Sequence, residues 1–344
     1  MRFFNYPFDI SKYFLVFVAI IIYGCNSKNS PGSISDPGPS QSIITNGTWE
    51  SVSSSIPHLA ITKSLKTDGS DIFAATQSFG IYRSSNNGDI WAATANGFPF
   101  DQNSSPGTEL WGMDIVNNET IVNVSNSSQI YASTDYGKTW QIRNNGLIQS
   151  SISIMNKNED KIYLTVGDSK AYYSNDVAAS WHEINTSGIT SQYIYEVFSI
   201  NNKYYVLADS GISVSTDNGN NWLVINTELP PGIRLFPGLF SSKNIIIGYM
   251  AGALLSSDGG ITWKVSKGWS QHNYPIGTII ESNNIVFAGG PDGTVYYSLD
   301  FGSTWHLLGN SINTNNPVTS LAVNGKYLLA STYGSGVFRY KLFY

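Results

Sequence analysis

An all-β, seven-bladed propeller is the fold class this sequence predicts, and three observations predict it. Tryptophans recur at Trp49, Trp91, Trp140, Trp181, Trp222, Trp263 and Trp305, at intervals of 42, 49, 41, 41, 41 and 42 residues. Six of the seven close a shared phrase, clearest in 133-STDYGKTW-140, 256-SSDGGITW-263 and 298-SLDFGSTW-305. Each repeat also holds four short apolar segments bounded by Asn, Gly, Asp and Ser, as in 193-YIYEVFSI-200, 203-KYYVLAD-209, 211-GISVST-216 and 222-WLVIN-226. Four short strands in a period near 41 predict a ring of small sheets.

The phrase, Ser-x-Asp-x-Gly-x-Thr-Trp, falls between an apolar strand and the strand that starts at the Trp, so it reads as a hairpin turn. Asp and Ser side chains can accept hydrogen bonds from nearby backbone N–H groups and hold such a turn. Gly takes a positive φ without steric cost. The Trp offers a broad apolar face and one donor for the seam between sheets. The residues assigned this structural role are Ser133, Asp135, Gly137, Trp140, Asp176, Trp181, Asp217, Gly219, Trp222, Asp258, Gly260, Trp263, Asp300, Gly302 and Trp305. Two copies are worn. Asn86 replaces the Asp, and Ala178 replaces the Gly, where a persisting turn implies strain of roughly 1 kcal/mol.

The blade count comes from the two ends. After Trp305 come three strands, 318-VTSLAV-323, 327-YLLAST-332 and 336-GVFRYK-341, without a fourth. Near the start, 48-TWESVS-53 is a Trp-led strand without its three predecessors. Joined, they complete a seventh blade, so the N-terminal strand (48–53) closes the ring and removes two exposed sheet edges. Neither the Gly-His nor the Trp-Asp dipeptide of WD40 repeats occurs.

These residues resemble the Asp-box, or bacterial neuraminidase repeat, of sialidase-like β-propellers, over Trp49 to the C-terminus. The resemblance implies that the phrases are structural and mark the rim away from the ligand-binding face. It also implies where sialidases carry their chemistry: three arginines, a Tyr–Glu nucleophile pair, an Asp acid and an Arg-Ile-Pro-like motif. Beyond Arg2 the chain has only Arg83, Arg143, Arg234 and Arg339, and no Arg-Ile-Pro. Arg83 and Arg339 fall in third strands and Arg143 in an outer strand, so an arginine triad is not expected.

Residues 1–24 read as a signal peptide and 25–44 as a tether, leaving 45–344 as the propeller. Arg2 and Lys12 precede the apolar run 13-YFLVFVAIIIY-23, which is too short to span a bilayer and the length of a signal-peptide core. Ile22-Tyr23-Gly24-Cys25 resembles the lipobox of bacterial lipoproteins, which implies cleavage before Cys25 and its acylation. Cys25 is the chain's only cysteine. An ordinary signal peptide cut nearby is the alternative. The stretch 26-NSKNSPGSISDPGPSQS-42 is a flexible Gly/Ser/Pro-rich linker. The expected address is the bacterial cell envelope, at the outer membrane, with the membrane held by the lipid anchor only.

Composition narrows the function classes. Charged residues make up 12% and the net charge is −5, which disfavours nucleic-acid binding. No cofactor fingerprint, phosphate loop or metal-ligand spacing occurs, and no cofactor or metal is expected. His182 and His306 follow repeat tryptophans on outer strands, where exposed edges are commoner than ligands.

A binding site is expected on the face opposite the phrases, built by loops entering each inner strand and joining second to third strands. The stretched interval between Trp91 and Trp140 puts extra residues in 95-ANGFPFDQNSSPGTELW-111, with Phe98, Phe100, Asp101, Glu109 and Trp111. On the same face, 227-TELPPGIRLF-236 brings Arg234, and 267-KGWSQHNYPIG-277 brings Trp269, His272 and Tyr274. Trp111 and Trp269 lie off the 41-residue beat. They either form an aromatic platform or plug the channel mouth and pack under their loops. Inner strands carry Asp114, Glu196 and Glu281, weak catalytic candidates. Asp114 and Glu196 each precede their blade's Trp by 26 residues, which predicts equivalent positions two blades apart. A carboxylate pair across the channel would suit glycoside hydrolysis; solvated channel residues are the alternative.

The expected protein is a monomeric, lipid-anchored propeller that binds a protein or glycan without catalysis. A glycoside hydrolase and an assembly factor for an envelope complex are the alternatives.

Overall fold

A computed structural model describes residues 47–57, 60–77, 79–94, 110–124, 127–158, 160–167, 169–225, 235–240, 244–249, 252–267, 269, 275–312 and 315–343. The described strands form seven four-stranded antiparallel sheets. The first strand, β1 (Trp49–Ser51), is set aside for the last blade. Blade 1 is β2 (Thr62–Thr67), β3 (Ile72–Thr76), β4 (Gly80–Ser84) and β5 (Ala92–Ala93). Blade 2 is β6 (Leu110–Val116), β7 (Glu119–Val124), β8 (Ile130–Ser133) and β9 (Gln141–Ile142). Blade 3 is β10 (Ile152–Asn158), β11 (Lys161–Val166), β12 (Lys170–Ser174) and β13 (His182–Ile184). Blade 4 is β14 (Ile194–Ile200), β15 (Lys203–Ala208), β16 (Gly211–Ser215) and β17 (Leu223–Ile225). Blade 5 is β18 (Leu235–Phe240), β19 (Ile245–Tyr249), β20 (Gly252–Ser256) and β21 (Lys264–Val265). Blade 6 is β22 (Thr278–Ser282), β23 (Ile285–Gly289), β24 (Val295–Ser298) and β25 (His306–Leu307). Blade 7 is β26 (Val318–Asn324), β27 (Tyr327–Thr332) and β28 (Gly336–Lys341), completed by β1. The fold class is therefore the seven-bladed propeller the repeat predicts.

Alternation along the strands places the core. Successive side chains point to opposite faces of a sheet, so each blade feeds the seams on both sides. In β3, Ile72 and Ala74 pack toward blade 7 while Phe73 and Ala75 pack toward blade 2. In β23, Val286 and Ala288 face blade 5 while Ile285 and Phe287 face blade 7. Seven apolar clusters result, one in each seam, so stability is spread around the ring.

Closure is antiparallel pairing of β1 with β28, in the register Trp49↔Tyr340, Glu50↔Arg339 and Ser51↔Phe338. The Trp49 and Tyr340 rings lie 5.2 Å apart, and Gly47 N–H donates to Tyr340 Oη at 2.9 Å. Arg339 Nε donates to Glu50 at 2.9 Å, and its Nη1 to Asp89 of blade 1 at 2.6 Å.

The phrases form the turns between third and outer strands. In blade 2, Gly137 N–H donates to Ser133 Oγ at 2.8 Å and Thr139 N–H to Asp135 Oδ1 at 2.8 Å. Asn86 fills the Asp role in blade 1, accepting from Ile90 N–H at 2.9 Å. Ala178 adopts φ 62°, the left-handed conformation glycine takes elsewhere in the set. Some of the tryptophans tie a blade to the one before, whereas the Trp263 indole donates within its own turn, to Gly260 O at 3.1 Å. The indole N–H groups of Trp91, Trp181 and Trp222 donate to Val52 O, Arg143 O and Asn185 O at 2.7, 2.9 and 2.9 Å. Each acceptor lies just past the outer strand of the preceding blade.

Candidate functional site

Within each antiparallel blade, the connection from outer to next inner strand and the one from second to third strand emerge at one end, opposite the phrase turns. That end is the loop face. Phe98, Phe100, Asp101, Glu109, Arg234, His272 and Tyr274 lie outside the described residues. Trp111 belongs to β6 and not to the loop before it. It occupies the bulge between Leu110 and Gly112, where the extra residue interrupts the ladder. Leu235 and Phe236 likewise already belong to β18. Trp269 is 8% exposed in the seam between blades 5 and 6. Its ring centroid is 4.7 Å from Tyr296 and 5.5 Å, edge-on, from Trp305. That is a packing residue, the alternative left open by the sequence, and not an open aromatic platform.

The expected equivalence of Asp114 and Glu196 is overturned by register. Both blades turn from first to second strand through two asparagines of positive φ, Asn117–Asn118 and Asn201–Asn202, a pair of left-handed residues that suits a tight hairpin. Counted back from this turn, Asp114 stands three residues away and Glu196 five. Glu196 opposes Leu207 just after a bulge, and its counterpart is Gly112, which opposes Asn123 just after the same bulge. Asp114 corresponds to Phe198. The matching Trp distances arise because the second hairpin of blade 2 is two residues longer: Asn123 pairs with Ile130, whereas Leu207 pairs with Ile212. Part of the stretched Trp interval therefore lies in that hairpin. Glu281 stands two residues before Asn283–Asn284, a third level. A Cβ built on Gly112 would collide with Asn123 Oδ1, so a side chain at the position corresponding to Glu196 would require the Asn123 amide to move.

Each carboxylate has its own surroundings. Asp114 Oδ2 takes a 3.2 Å ion pair from Lys66, which sits at the same register level on the neighbouring inner strand, and Asp114 Oδ1 accepts from Ile115 N–H at 2.9 Å. Glu196 is 3% exposed, and Asn156 Nδ2 donates to its Oε1 at 2.7 Å. Burial pushes the Glu196 carboxyl up to about 8, against the opposing effects of the Asn156 side chain and the Gly238 backbone amide. Glu281 is exposed and accepts from Asn284 N–H at 3.3 Å. Sequence reasoning missed Lys66 and Asn156. Lys66 and Asp114 share a level because each stands two residues past the residue that follows the inner-strand bulge, which no Asn–Asn turn marks in blade 1.

Three of the four arginines beyond Arg2 are matched with carboxylates: Arg83 with Asp71, Arg143 with Glu119, and Arg339 with Glu50 and Asp89. Arg143 to Glu119 is 3.3 Å. An open groove of about 390 Å³ on the phrase-turn side is lined by Arg83, Ile90, Tyr136 and Lys138, with the Arg83 guanidinium 4.7 Å above the Tyr136 ring. Among the described residues, no three His, Cys, Asp or Glu side chains converge as metal ligands would.

No family profile matches the chain, and no curated protein matches it by sequence. Similarity is confined to solved structures at low identity, which show the fold alone. The extracellular domain of a protein described as a one-component system from B. thetaiotaomicron superposes with a TM-score of 0.66 at 12% identity, covering 85% of this chain and 39% of that one. The chain thus spans about two fifths of that domain's length. YCF48 bound to D1 peptide is similar over nearly its whole length, with a TM-score of 0.65, 13% identity, and 86% and 96% of the two chains covered. The GH74 xyloglucanase from Xanthomonas campestris gives 0.61 at 15% identity, covering 86% of this chain and 54% of the enzyme. This chain is a β-propeller of that architecture.

Proposed function

We propose that this chain is an exported, lipid-anchored β-propeller acting as a non-catalytic binding or scaffold protein for a protein or glycan on its loop face. One observation carries the non-catalytic part. The inner-strand carboxylates stand at three register levels, and the two buried ones are already engaged, Asp114 by Lys66 and Glu196 by Asn156. An acid and a base flanking a glycosidic bond must both be free to face it. Membership of the Asp-box family rests on six spaced phrases whose Ser, Asp and Gly positions hold the turn. The anchor reading rests on Arg2, Lys12, the apolar run and Gly24-Cys25. Residues 1–24 are then removed, and 25–44 tether a propeller that begins near residue 45.

Similarity to YCF48 bound to D1 peptide over nearly all of that protein's length favours a protein partner, and with it a role in assembling an envelope complex. The xyloglucanase is matched over only part of its length, which gives the glycosidase alternative less support.

Turnover assays decide between binder and enzyme. The purified protein is expected to leave sialyl and β-glucan reporter substrates intact. Hydrolysis abolished by Asp114→Asn or Glu281→Gln would overturn the reading. Peptide and glycan panels read by tryptophan fluorescence then separate the two partner classes, and Cys25→Ser is expected to move the protein out of the membrane fraction.

A further inference from the structure

Two buried oxygens on the inner strands of blades 3 and 4 have no hydrogen-bond partner among the described residues: Glu196 Oε2 and Asn156 Oδ1. Their side chains are already joined. Asn156 Nδ2 donates one proton to Glu196 Oε1 at 2.7 Å and the other to Val197 O at 3.1 Å. If Glu196 is a carboxylate, both orphan oxygens are acceptors and neither side chain has a donor left. An unpaired polar atom in so buried a place is unfavourable, and an ionised one more so. One proton resolves both deficits. With the hydrogen on Oε2, the carboxylic acid donates to Asn156 Oδ1 while Asn156 Nδ2 donates to Oε1, a closed ring of two hydrogen bonds between an acid and an amide.

We propose that Glu196 and Asn156 form a proton-dependent acid–amide latch that ties the inner strands of blades 3 and 4 together close to the loop face. Glu196 is the third residue of β14, counted from its loop-face end. At the corresponding position Ser320 uses a neutral hydroxyl, accepting from Leu65 N–H of the next blade at 2.9 Å. Glu196 thus stands in a slot otherwise served by an uncharged group. Burial supports the protonated form, raising the carboxyl to about 8.

Among the described residues, no charged group acts on the Glu196 carboxyl, and Lys161 of β11 lies over the Tyr173 ring. On β10, Lys157 follows Asn156 and is exposed. On β14, Tyr195 precedes Glu196; β15 opposes it with Leu207; and β18, Leu235–Phe240, has no ionisable residue. Asp114, the other buried inner-strand carboxylate, is paired with Lys66 of blade 1. When the proton leaves to solvent, Oε2 and Oδ1 are both acceptors and neither side chain has a donor to offer the other, so the latch opens.

The sign of the pH dependence follows. The folded carboxyl lies above its ordinary value, so the unfolded chain loses this proton first. Stability conferred by the acid form is complete below about pH 4.5, declines as pH rises, and is gone once pH passes about 8. The experiment is a titration of the unmodified protein by carboxyl-carbon and side-chain-amide NMR, with urea midpoints for wild type and Glu196→Gln. The latch requires the Glu196 carboxyl and the Asn156 side-chain amide to shift together with a midpoint near 8. Gln keeps a donor opposite Asn156 Oδ1, so Glu196→Gln should hold its midpoint across the range in which the wild type falls. A carboxyl that titrates below about pH 6, an Asn156 amide indifferent to it, or parallel pH profiles for the two proteins would overturn the proposal. The wild-type titration stands even if the variant folds poorly.

Discussion

Replacing Gly219 with alanine tests how tightly the phrase turns are set against the preceding blade. Gly219 has φ +87°, a conformation that places a Cβ against its own carbonyl, which costs about 1–2 kcal/mol for an L-residue. The new Cβ would also sit 2.7 Å from Asn185 O and 3.5 Å from Ile184 Cγ2. Asn185 O is backbone and already accepts the Trp222 indole N–H at 2.9 Å, so it cannot swing aside without disturbing the tie between blades 3 and 4. Overpacking of this kind adds roughly 1–3 kcal/mol. Gly219→Ala is therefore expected to lower unfolding free energy by about 2–5 kcal/mol, a large part of the roughly 5–15 kcal/mol of an ordinary domain. Equilibrium urea unfolding followed by tryptophan fluorescence would read this as a lower midpoint at unchanged slope. The reverse change in blade 3 is the control. Ala178→Gly relieves about 1 kcal/mol of left-handed strain but removes a fully buried methyl worth about 0.8 kcal/mol and loosens the unfolded chain. Its net effect should stay within about 1 kcal/mol of zero. If Gly219→Ala lost less than about 1 kcal/mol, or if the two substitutions behaved alike, the account of the turn as sterically locked would fail.

Two further outcomes follow from the turns and the closure. Asp135 and Asp258 are held down to about 2 by Thr139 and Thr262 respectively, each through a backbone N–H and a side-chain hydroxyl. Their contribution is complete above the ordinary carboxylate value of 3.8 and is lost as pH falls through about 2. Melting temperature should thus drop across that window in the wild type, with a shallower drop in the Asp135→Asn, Asp258→Asn double variant. At the closing blade, Tyr340→Phe removes the acceptor for Gly47 N–H and should weaken the protein by about 1 kcal/mol in urea; no change would mean that this bond adds nothing to closure.

The fold and the channel-facing site depend on different spacings along the chain. Trp140 and Trp222 mark the outer half of a blade, and anything inserted between a channel residue and its Trp shifts the count. Two extra residues in the hairpin before Ile130 sufficed to make Asp114 and Glu196 look equivalent. The Asn–Asn turns lie only a few residues from the channel, across continuous strand pairing, and give the true levels. Trp269 shows the complementary limit. Its place off the beat marked it as unusual, yet only packing against Tyr296 and Trp305 reveals that it fills a seam.

Sequence alone determined the blade number, the strand count per blade, the composite closure, and the role of Ser133, Asp135, Gly137 and their repeats in holding turns. Those features are periodic and local: a turn, a strand and a Trp recur at fixed separations along the chain, so they can be read without knowing what lies across the ring. Tertiary structure alone decided that Lys66 meets Asp114, that Asn156 meets Glu196, and that no two inner-strand carboxylates share a level. Those contacts join residues 40 to 48 positions apart. They depend on the summed lengths of every hairpin between them, and a change of two residues alters which side chains face each other.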